Sequence, residues 1–270
     1  MGQLSGKSII LTGASQGLGA VMARALAAEG ADLILAARSE EKLKAVGLSL
    51  PKSIRVHIQP TDVTSASDRA ALLARAHAEF GRIDVLINNA AVEELAVFAE
   101  QDPAALERIL ATNLLAPMQL TRAVLPEMLA RGQGHVVNIA SLAGRTGMPY
   151  GAAYSGSKGG LAEWSISLAA ELRDSGVAVS VICPGFVDET GMFARKGQPA
   201  PRSIGASHPQ AVSGAVLRVL QTRKVEVVVN PKPVRLLMAL KALSPETALA
   251  VGRRLGLLEF LRSIATRPHA

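Results

Sequence analysis

Cysteine is almost missing from this 270-residue chain: Cys183 stands alone, so no internal disulfide can form and a reducing, cytoplasmic setting is expected. Aromatic residues are scarce too, with five Phe, two Tyr and one Trp, so the core must rest on aliphatic side chains. That favours close-packed α/β layers over an aromatic-rich β-sandwich. No uncharged apolar run reaches the roughly 18 residues that a membrane-spanning helix needs. The opening MGQLSGKSII carries no long apolar stretch or cleavage signature of a secretory signal. At this length one sizeable core can be buried, and a single catalytic domain over residues 1–231 is expected.

Negative charge is what the C-terminal quarter lacks. The net charge is +7, yet residues 195–270 carry +10 and residues 1–194 carry −3. Such asymmetry suits either an anionic partner or a solvated helix face. No aromatic stacking set or nucleic-acid motif accompanies it, so no nucleic acid is expected, and no metal.

What is present is an alternation. Seven short apolar runs (8–12, 32–37, 54–60, 84–88, 135–140, 177–183 and 225–230) are separated by stretches of helical period. Leu18, Val21, Met22, Ala25 and Leu26 recur at helical spacing and predict one buried helix face. Val- and Ile-rich strands joined by helices imply a doubly wound, mainly parallel seven-stranded sheet, Rossmann-like, with helices on both faces. Only 186–210 breaks the alternation, and its Gly, Pro and Ser read as a long surface loop or lid.

The first strand runs into Thr12-Gly13-Ala14-Ser15-Gln16-Gly17-Leu18-Gly19, with a helix beginning at about Gly17. A strand, a glycine turn and a helix N-terminus offer unpaired N–H groups and a positive dipole end to a pyrophosphate. The Gly-x-x-x-Gly-x-Gly spacing resembles the short-chain dehydrogenase/reductase family. At the end of the second strand stands Ala37-Arg38, where an NAD-binding unit usually offers an acid to the ribose. A small residue followed by a guanidinium fits a 2′-phosphate, so NADP(H) is expected over NAD(H); the structural alternative is a surface pair with Glu40 or Glu41. The resemblance further implies Asp62 and Val63 on the adenine, and Asn89 and Ala90 beside the cofactor, with Ala91 where the family has Gly. Asn88 has an ordinary reading as a strand-end residue bonded to backbone.

Tyr154 and Lys158 open a later helix one turn apart, so a lysine ammonium can sit beside a phenol and lower its pKa toward working pH. Tyr150, the other tyrosine, has no base four residues on. Ser141 precedes Tyr154 by the separation seen in the family, which implies that its hydroxyl holds the substrate oxygen. By the same resemblance Asn113 holds a water in a proton relay to Lys158, and Pro184, Gly185, Val187 and Thr190 meet the nicotinamide. Thr190 is displaced by one residue from the family's Val-x-Thr. The implied reaction is hydride transfer between a carbonyl and a secondary alcohol, with Tyr154 as general acid/base.

Ser141, Leu142, Met148, Tyr150, Phe186, Met192 and Phe193 are the expected substrate wall, largely apolar, which favours a lipophilic small-molecule substrate. A 3-oxoacyl-thioester reductase is the alternative among enzymes, and a non-catalytic NADP(H) sensor the alternative of another class. Residues 232–270 form a basic extension with helical segments at 234–240 and 255–261 and Arg253, Arg254, Arg262 and Arg267 nearby. They suit packing on the pocket, a subunit contact, or an amphipathic face on an anionic membrane. The family resemblance implies a homodimer or homotetramer.

Overall fold

β-branched and leucine side chains fill both faces of the short runs, as strands covered on two sides require. In the computed structural model, which describes residues 2–266, these runs form one parallel sheet. Its strands are β1 (Ser8–Thr12), β2 (Asp32–Ala37), β3 (Val56–Pro60), β4 (Val85–Asn88), β5 (Gly134–Ile139), β6 (Val177–Pro184) and β9 (Glu226–Val229), in the order β3-β2-β1-β4-β5-β6-β9. A separate parallel pair, β7 (Phe186–Val187) and β8 (Ala206–Ser207), lies between β6 and β9 in sequence. The expected doubly wound architecture is therefore present, with each strand placed within two residues of its expected bounds.

The helices are α1 (Gly17–Ala28), α2 (Glu40–Leu48), α3 (Ala66–Phe80), α4 (Pro103–Leu110), α5 (Ala116–Arg131), α6 (Leu142–Thr146), α7 (Ala152–Glu171), α8 (Gly191–Ala194), α9 (Pro209–Thr222), α10 (Arg235–Leu243), α11 (Pro245–Arg254) and α12 (Leu257–Ala265). Alternation along β1 divides them into two layers. Ile9 and Leu11 pack with Met22, Leu26, Leu43 and Val216 of α1, α2 and α9. Ile10 packs with Leu72, Leu120 and Val124 of α3 and α5 on the opposite face. α7 covers Val181 and Cys183 through Leu161 and Ala162.

Three expectations need correction. Leu18, Val21 and Ala25 are only half-buried; the buried stripe of α1 is Gly19, Met22, Ala23 and Leu26, because that helix is wedged between the sheet and α9. Residues 186–210 are not a bare surface loop, since they contain β7, α8 and β8 and much of the segment is half-buried. The C-terminal extension has three helices, not two: Ser244 caps α11 through the Thr247 amide, with Pro245 in the first turn. Arg267 lies outside the described residues. No described helix is long and apolar enough to cross a membrane.

One packing contact fixes how α6 sits on α7. A Cβ on Gly144 of α6 would lie 2.4 Å from the Gly159 nitrogen of α7, and one on Gly159 would lie 3.0 Å from the Gly144 oxygen. The two helix backbones therefore touch directly. Gly144→Ala is expected to lower stability by about 1–3 kcal/mol through overpacking. Gly156→Ala, on the same α7 but with nothing within 4 Å of its added Cβ, should be neutral or mildly stabilising. Urea melts of the two variants check this, and equal losses would exclude the close approach as the cause.

Candidate active site

In a parallel sheet every strand ends on the same edge, and the strand order here reverses direction at the β1/β4 boundary. A crevice opens outside the strand ends at such a point. The chain has there a cavity of about 560 Å³, running from Arg38 at one end to Leu261 and Ile264 at the other. Its two ends differ in chemistry: glycines, Asp62 and cations at one, aliphatic and aromatic side chains at the other.

The polar end is built on backbone. Gly13 holds a left-handed φ of 65°, and a Cβ there would fall 2.8 Å from Ala90 Cα. A Cβ on Gly19 would meet the Gly13 oxygen at 2.0 Å. Both positions exclude side chains and let the turn hug the α1 N-terminus. Gln16 is the N-cap residue, and no side chain caps it, so the first amides of α1 keep their donors for a ligand. Gly13, Ser15, Gln16, Leu18 and Gly19 line the cavity. Gly17 does not: its φ is 59° and its Cα side faces Gly191, so it serves the turn's conformation and the approach of α8.

Thr12 ties the turn to its neighbour. Its hydroxyl donates to the Ile87 carbonyl (3.2 Å) and accepts from the amides of Asn89 (3.0 Å) and Ala90 (3.1 Å). Asn89 Nδ2 donates in return to the carbonyls of Thr12 and Gly13. Asn89 and Ala90 line the cleft, while the Asn89 amide group is spent on bracing. Ala91 has no left-handed φ, so replacing a glycine at that position strains nothing. Asn88 bonds side chains, Asn138 Oδ1 (2.9 Å) and Thr121 (3.4 Å), and not the backbone expected of it.

Arg38 lines the cleft beside Ala37, Ser39 and Lys42, and Glu40 pairs instead with Lys44 at 2.6 Å. Ser39 and Lys42 are not singled out by the sequence; the available signal is that Ser39 follows Arg38 directly as the N-cap of α2 and Lys42 lies one helical turn on. Asp62 and Val63 line the same end. Two hydrogen bonds from Thr64 hold the Asp62 carboxyl below the usual range, and the Arg38 charge adds to them. A left-handed glycine cradle, an uncapped helix end and two nearby cations fit a pyrophosphate-bearing dinucleotide with a further anionic group.

Deeper in, Ser141 caps α6: its hydroxyl accepts from Ala143 N (3.1 Å) and faces the Pro184 carbonyl at 3.4 Å. Tyr154 and Lys158 rise from the first turns of α7, both buried and both lining the cavity. The Lys158 ammonium donates to the Ile139 carbonyl at 2.7 Å. The Tyr154 phenol does not have the lowered pKa expected from a lysine neighbour. Burial raises it well above its ordinary value of 10, the Glu93 carboxylate adds to the rise, and the Ser141 hydroxyl bonded to it opposes them.

Asn113 is positioned by an irregular turn. It sits in a π-helical turn, Ala111–Leu115, joining α4 to α5, fully buried and away from the cavity wall. Its side chain accepts from Val92 N and donates to the Val92 carbonyl, both at 2.8 Å, and to Ser157 Oγ at 3.1 Å. Ser157 in turn donates to the Tyr154 carbonyl at 2.7 Å. The side chain is thus a brace between the Val92 loop and α7, with its donors already engaged.

Pro184, Gly185, Val187 and Thr190 line the cleft on the far side. The extra residue before Thr190 is absorbed by Glu189, whose φ is 57°, in a tight turn closed by Thr190 N on the Asp188 carbonyl. That turn returns Thr190 to the cleft. Of the expected substrate wall, Leu142, Met148, Phe186, Met192 and Phe193 line the cavity. Tyr150 does not: it holds a left-handed φ of 61° at the entrance to α7, and its carbonyl accepts from Ala96 N. The wall gains Glu93, Leu95 and Ile264, which the sequence does not single out, and Leu257 and Leu261 from the apolar segment 255–261, for which packing on the pocket is one of the expected roles. Glu93 is largely buried, its carboxyl raised by desolvation despite Lys196 at 3.7 Å.

Residues 7–200 match the family described as short chain dehydrogenase. A ketoacyl reductase, HetN, of Nostoc sp. is 41% identical over 96% of this chain and 93% of its own length. The dehydrogenase/reductase SDR family member 7B of Bos taurus is 32% identical over 88% of this chain and 77% of its own. Among solved structures, an actinorhodin polyketide ketoreductase with NADPH superposes with a TM-score of 0.77 at 29% identity, covering 85% of this chain and 97% of that one. A metagenomic short-chain oxidoreductase in complex with NADP gives 0.72 at 36% identity, covering 85% and 99%.

The burial of Lys158 has a measurable cost. Desolvation lowers its pKa from 10.5 to about 8, with Cys183 opposing the shift. The folded chain then releases this proton before the unfolded chain does, so the residue's contribution to stability rises with pH between about 8 and 10.5. Lys158→Met is expected to be more stable than the wild type at neutral pH, by up to about 3 kcal/mol before the Ile139 carbonyl's lost donor is counted. The gap should close by the upper end of that window. Urea denaturation at several pH values checks it, and a gap independent of pH would refute it.

Proposed function

The chain belongs to the short-chain dehydrogenase/reductase family and is an NAD(P)-dependent oxidoreductase of carbonyl and alcohol groups; on that footing we propose that it is an NADP(H)-dependent reductase of a carbonyl carried on an apolar chain. One observation carries this reading. A single cleft has a phosphate cradle with Arg38 at one end, an apolar wall at the other, and Ser141, Tyr154 and Lys158 between them.

When bound, NADPH supplies the hydride that forms the new C–H bond as the carbonyl π bond breaks. The protein must then give the carbonyl oxygen a proton. Burial and Glu93 keep the Tyr154 phenol protonated, which makes it the donor. Ser141 stands beside it as a second hydrogen-bond donor where negative charge develops on that oxygen. Lys158, one helical turn on and held by Ile139, supplies a fixed positive charge for proton recovery. Asn113, through Ser157 and the Tyr154 carbonyl, holds the turn of α7 that carries the phenol.

Arg38 supports the preference for NADP(H), because its guanidinium has no carboxylate partner in Glu40 or Glu41 and faces the cleft beside Lys42. For the substrate, a 3-oxoacyl thioester is the reading that the relatives named ketoacyl reductases favour. Arg108, Arg195 and Lys196 at the cavity give such a substrate's anionic arm a cationic approach.

Arg38→Ala is expected to raise the Kd for NADPH about 10- to 100-fold, the value of one or two charge-assisted hydrogen bonds, and to leave NADH binding within about twofold. A higher wild-type kcat/KM with NADH than with NADPH would refute the preference. Tyr154→Phe should lower kcat by about 10²- to 10⁴-fold while NADPH titration stays normal. Following NADPH oxidation with free ketones beside acyl thioesters tells the two substrate readings apart.

A further inference from the structure

The polar end of the cleft is made by the framework common to the family, but part of its apolar end is not. Residues Leu257, Leu261 and Ile264 of α12 line the cavity, and they lie well past residue 200, where the family match stops. Spaced at i, i+4 and i+7, they form one face of the helix, while Glu259, Arg262 and Ser263 stay exposed on the other. Leu261 is only 1% exposed, as buried as any core leucine.

α12 is also fastened to the segment over the site. Phe260 meets Phe186 edge-on at 5.9 Å and Phe193 at 6.2 Å, and those two rings pack at 4.5 Å. Ser263 Oγ bonds Gln198, and Ser203 Oγ donates to the Leu255 carbonyl. At the other end of the extension, Lys241 of α10 donates to the Arg145 carbonyl of α6, the helix that Ser141 caps. The extension is thus joined to both sides of the catalytic cleft.

We infer that α12 is the specificity-determining wall of the site, and that its Leu257, Leu261 and Ile264 face forms, with Met148, Phe186, Met192 and Phe193, a slot for a flexible aliphatic chain on the substrate. Aliphatic side chains on one wall and adaptable methionines on the other suit a chain with many rotamers. This inference rests on the carbonyl-reductase reading and names its substrate class. Chain-length selectivity follows, because each methylene in such a slot alters the discrimination.

Two variants move the slot in opposite directions. Leu261→Ala widens it and should lower kcat/KM for a medium-chain methyl ketone about tenfold or more relative to butanone. Ile264→Trp fills it and should exclude the medium-chain ketone while butanone turnover persists. NADPH binding should stay within about twofold in both, since the cradle is at the other end. Variants that are folded by circular dichroism and change both ketones in equal proportion would overturn the inference. Calorimetric titration of the medium-chain ketone into NADP⁺-loaded protein needs no turnover. Loss of binding in Ile264→Trp supports the wall and unchanged binding overturns it, whereas wild-type protein that binds but never oxidises NADPH counts only against the reductase reading.

Discussion

The Thr12 hydroxyl joins the ends of the two strands between which the sheet reverses its order. By donating to Ile87 and accepting from Asn89 and Ala90, it satisfies two amides at the point where β4 leaves the sheet. Those amides would otherwise be unpaired in a half-buried crevice. The same clamp seats Ala90 against Gly13, where even a methyl group has no room. The phosphate end of the cleft, and hence the position of anything bound along it, depends on this joint.

A second constraint, the glycine contact between α6 and α7, sets the other half of the site. Ser141 is fixed by its role as the cap of α6, and Tyr154 and Lys158 by their place on α7. Three functional groups from two helices are therefore aligned by backbone packing, before any ligand arrives. Such alignment is what a proton donor and an oxyanion donor need to act together on one atom.

The parts of this arrangement that sequence reveals are those encoded within a few residues. The strands announce themselves because both faces are covered, and the glycine turn and the Tyr154–Lys158 pair because their spacing is local. The state of the Tyr154 phenol was not legible, since it depends on burial and on Glu93, about sixty residues earlier in the chain. Asn113 was found by position, yet its bonds to Val92 and Ser157 join segments that no periodicity connects. The face that α1 buries is turned from the one its apolar spacing suggests, because α9, far along the chain, decides which side is covered. The apolar segment 255–261 of α12 is legible as a helix with a pocket among its possible neighbours, but the side chains it meets, Phe186, Phe193 and Gln198, lie more than sixty residues earlier and no local pattern names them.

The π-turn at Ala111–Leu115 carries one residue more than a regular helix would need over the same rise. That surplus residue is what presents Asn113 to Val92 and Ser157 at once. A helix rotates by about 100° per residue, so losing a single residue here would straighten the turn and swing Asn113 to another face. The segment is consequently intolerant to deletion in a way that its ordinary composition conceals.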